Sequence, residues 1–493
     1  MKINDCDSCP IDLCEEEGLQ YNDVADYMNT KTKIETVETK LLDSMVRGQA
    51  RAEGGRSRRG QRERREDEDQ TADEPLQQQQ VIVRQSKSAY TSVQSAVSFL
   101  YRSSGVKRGD AMKSRVSTYI SGVTRRGMQQ KQSLGLKIVE GKKPMKKECY
   151  SKLAELFFKS NDRECIFAHL FLILDWNLMK RAENCVDAKV NHITFENDCL
   201  IFEFAKSKSH QSGEDHVGPW HVYSNPLEPH ICPVLSLARY LFTYPDVMKT
   251  NSPLFDGDSQ YNRYSKIFNR TLDENWNIFK GLGLEKGDLG THSCRKGVAS
   301  MVSGGCTVCP PIVSLCIRVG WVMGGVKDRY LKHESAGDQY VGQSATGKDP
   351  LLSTFAASPP YFDFSHIQME EERMERDRRI DLFLKDRMPE DTSPSTVSIA
   401  KMCLASIFFH YDYLSLSLGG ECALRASHFF QNIPNDLREC AVVKYPWTKT
   451  EYTPRITGIP PHILIMAEME ELNKQVSTIN VKFKEDLNTC FNE

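Results

Sequence analysis

At 493 residues the chain is too long for one hydrophobic core, so two or three domains plus tails are expected. Its residues are 40% hydrophobic and it has no run of about 18 apolar residues, which excludes a membrane-spanning helix. The net charge of -2 hides an asymmetry: Val81 to Tyr150 carries fifteen Lys/Arg against three Asp/Glu, a local balance of +12. That balance suits a polyanion-binding segment, although on charge alone a solvated helical face explains it equally well. Sixteen cysteines are spread along the chain, and the acidic start MKINDCDSCPIDLCEEE lacks the apolar core of a secretory signal. Free, mostly buried thiols in a reducing compartment are therefore expected. Cys6, Cys9 and Cys14 cluster without the further ligands a zinc site needs, and Cys306 with Cys309 reads as structural.

Residues 1–84 have the composition of a disordered tail. Gly54-Gly55, a mixed Arg/Glu run from Arg56 to Asp69 and the tract Gln77 to Gln80 offer too little apolar area to offset the entropy of ordering. One helix is expected there, around Asp23 to Val46. The stretch RSRRGQRERR has the composition of a nuclear import signal and gives the nucleus as the expected location.

Residues 85–142 form the basic segment. Ala89, Val93, Val97 and Leu100 recur at helical spacing, as do Met112, Val116, Ile120 and Val123, with Gly105 and Gly135 as punctuation. A small helical module with its cations outward is expected.

Residues 143–350 read as the largest compact unit. Pro144 opens an expected helix that runs to Phe158, and Phe167, Leu170, Phe171, Leu174 and Leu178 lie on one face of a second. HITFEN, a turn at Asn197-Asp198, and CLIFEFAKSK then form a β-hairpin signal. Helices are expected over Pro233 to Thr243, over Ser259 to Phe279 and again after Thr291, broken at Gly304-Gly305 and Pro310-Pro311. Residues 351–398 read as a linker with a charged helix from Glu370 to Arg387. Residues 399–493 read as a helical C-terminal region of open role, packed at Ile399 to Tyr413. Near its end Met469, Leu472, Val476, Ile479 and Phe483 step by 3, 4, 3 and 4, a short heptad seam that fits either self-association or an ordinary packed helix. The fold class is thus α+β: a mainly helical catalytic domain with a small sheet, a helical domain before it, a disordered N-terminal tail and a helical C-terminal region.

One constellation stands above this background. In chain order it comprises Arg181 after a buried helix, Lys206 at the end of the hairpin's second strand, His292-Ser-Cys-Arg295 at a helix start, Trp321, and Tyr330 nine residues beyond. Each residue alone is weak evidence; the order and spacing carry the signal. With FLILDWNLMKRAENC, IFEFAKSKSHQSGE, THSCRKGVAS and GWVMGGVKDRYLKHESAGDQYVG, it makes residues 85–360 resemble the tyrosine recombinase (phage integrase) family. The nearest likeness is to recombinases of Crypton-type transposons. That family shares its catalytic arrangement with type IB topoisomerases.

The chemistry is consistent with those residue types. Strand cleavage needs a nucleophile at phosphorus and stabilisation of charge building on the nonbridging oxygens. Two planar guanidiniums, Arg181 and Arg295, can clamp that phosphate with paired hydrogen bonds. A phenol, Tyr330, can form a phosphotyrosine that keeps the bond energy for rejoining. Tyr340 is its competitor, in the glycine-flanked GDQYVG, whereas VKDRYLKH around Tyr330 is the better helical context. His292 is the candidate acid/base. The resemblance implies Lys206 as the general acid for the leaving oxygen, with Lys208 on the same side of the hairpin as its rival. Trp321 would pack against the site and donate its indole N–H. No metal or cofactor is needed, because the cations come from the protein.

The resemblance also implies a C-shaped clamp on double-stranded DNA. Lys107, Arg108, Arg125, Arg126, Lys142, Lys143 and Lys208 would contact it, and a tetrameric synapse would act on two duplexes. The implied function is site-specific recombination or DNA integration encoded by a transposable element, with no membrane partner. The alternative is a domesticated, catalytically inactive DNA-binding protein.

Overall fold

The computed structural model describes residues 33, 35, 36, 40, 87–133, 135, 141–180, 182–186, 188–196, 198–203, 219–321, 335–445 and 458–492. The chain is mainly helical with two small antiparallel sheets. It divides into two compact units, residues 1–140 and 141–493. Helices of eight residues or more are numbered below. No described helix is long and apolar enough to cross a membrane.

In the first unit, α1 (Lys87–Ser103) and α2 (Asp110–Ser133) form a helical hairpin. Gly105 turns the chain between them at a φ of 66°, a conformation that glycine adopts without strain. Val97 and Tyr101 bury against Val106, and Tyr90 against Val116 and Ile120. The periodic positions Val93, Met112 and Val123 line these clusters, whereas Leu100 stays exposed. The tyrosines, with no place in the aliphatic pattern, take over the inner face. Within the expected helix at 23–46, Lys33, Glu35, Thr36 and Lys40 are helical, and the rest of the expected tail lies outside the described residues.

The second unit is built around α4 (Arg163–Leu178), of whose 16 residues 14 are buried. Such burial makes this a central helix rather than one with a single apolar face. Asp162 caps its start by accepting from the Glu164 N–H, and Met179 ends it in the left-handed region at φ 54°. Two of its buried rings find polar partners inside: His169 bonds the Ser236 hydroxyl and the His230 carbonyl, and Trp176 donates to the Ala345 carbonyl. α3 (Lys147–Lys159) packs beside it, with Tyr150 stacked on Trp176 at 4.0 Å. Strand β1 (Ile193–Glu196) pairs with β2 (Cys199–Phe202) in the expected hairpin. β3 (Trp220–Tyr223) adds a third strand, pairing Cys199 with Tyr223 and Phe202 with Trp220. β2 ends at Phe202, before the lysines read into that strand, and residues 204–218 lie outside the described set.

Helix α5 (Pro233–Thr243) matches its expected span and is buried throughout. The helix expected over Ser259 to Phe279 divides at Asn275 into α6 (Gln260–Glu274) and a short helix, Trp276–Gly281, the Asn275 N–H closing α6 onto Thr271 and Asp273. Next come α7 (His292–Gly304), α8 (Ile312–Val319) and α9 (Ser335–Ala345).

The core does not stop at residue 350. α10 (Glu370–Lys385) keeps its charged residues at the surface and turns Ile380, Phe383 and Leu384 inward. α11 (Pro394–Phe409), capped by Ser393 with Pro394 in its first turn, packs on α5 and β1. β4 (Tyr361–Phe362) pairs with β5 (Ala441–Val442), and Phe429 stacks on Phe242 at 4.1 Å. Residues 380–441, set apart by sequence within 351–398 and 399–493, thus share one apolar cluster with 145–345. The twelve cysteines from Cys149 to Cys440 are free, and most are buried. The last helix, α12 (Pro461–Asn492), docks Ile463 against Phe355 and Ala356.

Candidate active site

The His-x-x-Arg element opens α7. Residues three apart share a helix face, so His292 and Arg295 lie together while Ser293 and Cys294 turn into the core. His292 is exposed on the first turn, where unsatisfied backbone N–H groups and the helix dipole favour an anion. Arg295 is half-buried and donates through Nη2 to the carbonyl of Val319. That carbonyl ends α8. Gly320 then turns the chain at φ 71°, and the Trp321 N–H returns to the Cys316 carbonyl at 2.9 Å. The result is that Arg295 reaches within two residues of Trp321, itself 45% exposed.

Beneath this face sits Asp175 of α4. Burial pushes its carboxyl up to about 7, while Cys294 and the charge of Arg295 pull it the other way. Burial likewise holds the Cys294 thiol far above its ordinary range, beside Asp175 and Tyr264.

A second buried network ties α8 to α9. Arg318 is fully buried and donates to Asp338 Oδ1 at 2.6 Å, to the Asn177 carbonyl at 2.8 Å and to the His221 carbonyl at 3.0 Å. Asp338 Oδ2 accepts from the His221 backbone N–H, and the His221 ring Nδ1 lies 2.9 Å from the same oxygen. Burial pushes the Asp338 carboxyl up, but the Arg318 charge and the His221 hydrogen bonds outweigh it and leave it at about 2. Gly342 lets α9 lie on β3, since a Cβ there would meet the His221 carbonyl oxygen at 2.2 Å. The helices flanking residues 322–334 are therefore pinned to each other, to α4 and to the sheet. Lys180 belongs to the same support: its ammonium sits 3.5 Å over the Trp220 ring, and burial lowers it to about 7.

The segment 142–145 crosses α7. Gly297 permits it, because a Cβ there would meet the Met145 carbonyl oxygen at 1.9 Å, and the Met145 N–H donates to the Ser293 carbonyl. Lys143 pairs with the buried Asp288 at 2.7 Å, and Lys142 donates to the Gly287 carbonyl, so both expected DNA-contacting lysines lie beside the His292 turn. In the first unit Lys107, Arg125 and Arg126 are exposed. Arg108 instead is buried, its guanidinium 5.9 Å from the centre of the Tyr101 ring.

Arg181, Lys206, Lys208 and Tyr330 lie outside the described residues, as do Cys6, Cys9 and Cys14. Of the described candidates, His292 and Arg295 share a face of α7, Arg295 reaches the carbonyl two residues before Trp321, and Lys142 and Lys143 are held on the loop that leads into α7. Tyr340 donates its hydroxyl to the Val308 carbonyl at 3.1 Å, and burial raises its pKa, so that phenol is engaged as a structural donor. Among the described residues no three His, Cys, Asp or Glu are grouped to hold a metal ion.

Sequence reading missed Asp175, Lys180, Arg318 and Asp338. A lone charge inside the apolar runs FLILDWNL and IVSLCIRV was the available signal for Asp175 and Arg318, since buried charges persist only where they are paired or tuned. No protein-family model matches this chain, and no curated protein matches it, so the reading of the site rests on its own residues.

Proposed function

We propose that the chain cleaves and rejoins DNA strands through a covalent 3′-phosphotyrosine, as a tyrosine recombinase of the kind carried by transposable elements. The Tyr330 oxygen attacks phosphorus, a new P–O bond forms, and the bond to the 5′-oxygen breaks. That oxygen takes a proton from Lys206 or Lys208, and the reverse sequence rejoins a strand. Arg295, with Arg181, neutralises the charge that develops on the phosphate, and His292 serves proton transfer on the same face. Support comes above all from one observation: Arg295, one helical turn from His292, donates to the Val319 carbonyl, two residues before Trp321. The Arg318–Asp338 pair adds a rigid frame on both sides of the segment that carries Tyr330.

A DNA-binding protein without cleavage is the second reading, favoured by the basic helical hairpin, a compact unit in its own right, with exposed Lys107, Arg125 and Arg126. Nicked suicide duplexes distinguish the two. The enzyme reading expects a covalent protein–DNA adduct that Tyr330→Phe abolishes and Tyr340→Phe retains. Salt-sensitive binding with no adduct on any duplex leaves only the second reading.

A further inference from the structure

Helix α12 presents two opposite faces. Ile463 and Ala467 are buried, and Glu470 accepts a hydrogen bond from Ser353, so this stripe docks on the chain's own body. The other stripe is the heptad seam, extended by one step to Ile465. Met469, Leu472, Val476, Ile479 and Phe483 are 55% to 64% exposed. Every residue from Glu468 to Glu485 is exposed. An isolated helix of that length is marginal in water without a partner for its apolar stripe.

We infer that this seam pairs with α12 of a second copy of the chain, antiparallel. Charge argues against a polyanion as the occupant, since Glu468, Glu470, Glu471 and Glu485 outweigh Lys474, Lys482 and Lys484. The seam is complementary to itself. In heptad terms Met469, Val476 and Phe483 are a positions, and Ile465, Leu472 and Ile479 are d positions. Run antiparallel, Met469 faces Ile479 of the second copy, Val476 faces Leu472, and Phe483 faces Ile465. Every layer is apolar. The same register sets Glu468 against Lys482 at one flank and, by symmetry, Lys482 against Glu468 at the other. A parallel pair would instead oppose Glu468 to Asn473, Gln475 to Asn480 and Lys482 to Leu487, with no ion pair. The flanking charges therefore select the antiparallel arrangement, as they do for partner choice in coiled coils generally.

The test is sedimentation equilibrium of the full chain without DNA, so it is independent of the cleavage chemistry. A concentration-dependent dimer is expected, and Leu472→Glu with Ile479→Glu should make it monomeric at the same concentrations. Glu468→Lys alone and Lys482→Glu alone should each weaken the dimer about five- to tenfold, with the doubly reversed chain restored to the original strength. A monomer at every concentration overturns the inference, as does a dimer that survives the two seam substitutions. A dimer indifferent to the single charge reversals overturns the antiparallel register.

Discussion

Arg295 holds the end of α8 through the Val319 carbonyl and shares a helix face with His292. Lysine keeps the charge but loses the planar fork, so Arg295→Lys should lower strand cleavage by about 10²–10³ while DNA affinity stays within a fewfold. Single-turnover cleavage beside equilibrium binding measures the split, and equal losses in both would argue for a structural role only. Asp175 yields a prediction about pH. Its folded pKa of about 7 lies above the ordinary carboxyl value, so between those values the native state keeps a proton that the unfolded chain has released. Its contribution is therefore intact below about pH 4 and is lost as pH rises through about 7. Asp175→Asn has no proton to lose. Its urea midpoint relative to wild type should rise from pH 5 to pH 8, and an unchanged difference would refute the assignment.

At the scale of elements, the helical phase of α7 was legible: the spacing of His292 and Arg295 already put both on one face. α5 was legible because Pro233 starts it and its apolar residues fill it. The all-round burial of α4 was not, because periodicity cannot tell a central helix from a one-faced one until its neighbours are known. Nor was the tie between α8 and α9, whose charges are twenty residues apart and meet only through packing. Removing one partner of a buried pair strands the other, so Asp338→Asn should destabilise the second unit by about 3–5 kcal/mol. Denaturant unfolding followed by tryptophan fluorescence checks this, and a loss under about 1 kcal/mol would mean the network is dispensable.

For the whole molecule, the core extends well past the expected catalytic boundary. α11 lies against α5 and β1, and Leu404, Ile407 and Phe408 are as buried as anything in α4. A chain ending at residue 350 would expose those faces of α5 and β1. It should lack a cooperative thermal transition, whereas one ending at residue 460 should keep it; a folded 350-residue form would refute the shared core. By itself the sequence determined the helical character, the hairpin, the basic first segment and the order of the reactive residue types, because these depend on composition and near-neighbour spacing. Only the tertiary structure decided that the C-terminal helices complete the core, that Asp175 lies beneath Arg295 and that Arg318 meets Asp338. Those facts depend on which surfaces exclude water together, and no local pattern encodes a contact between segments so far apart along the chain.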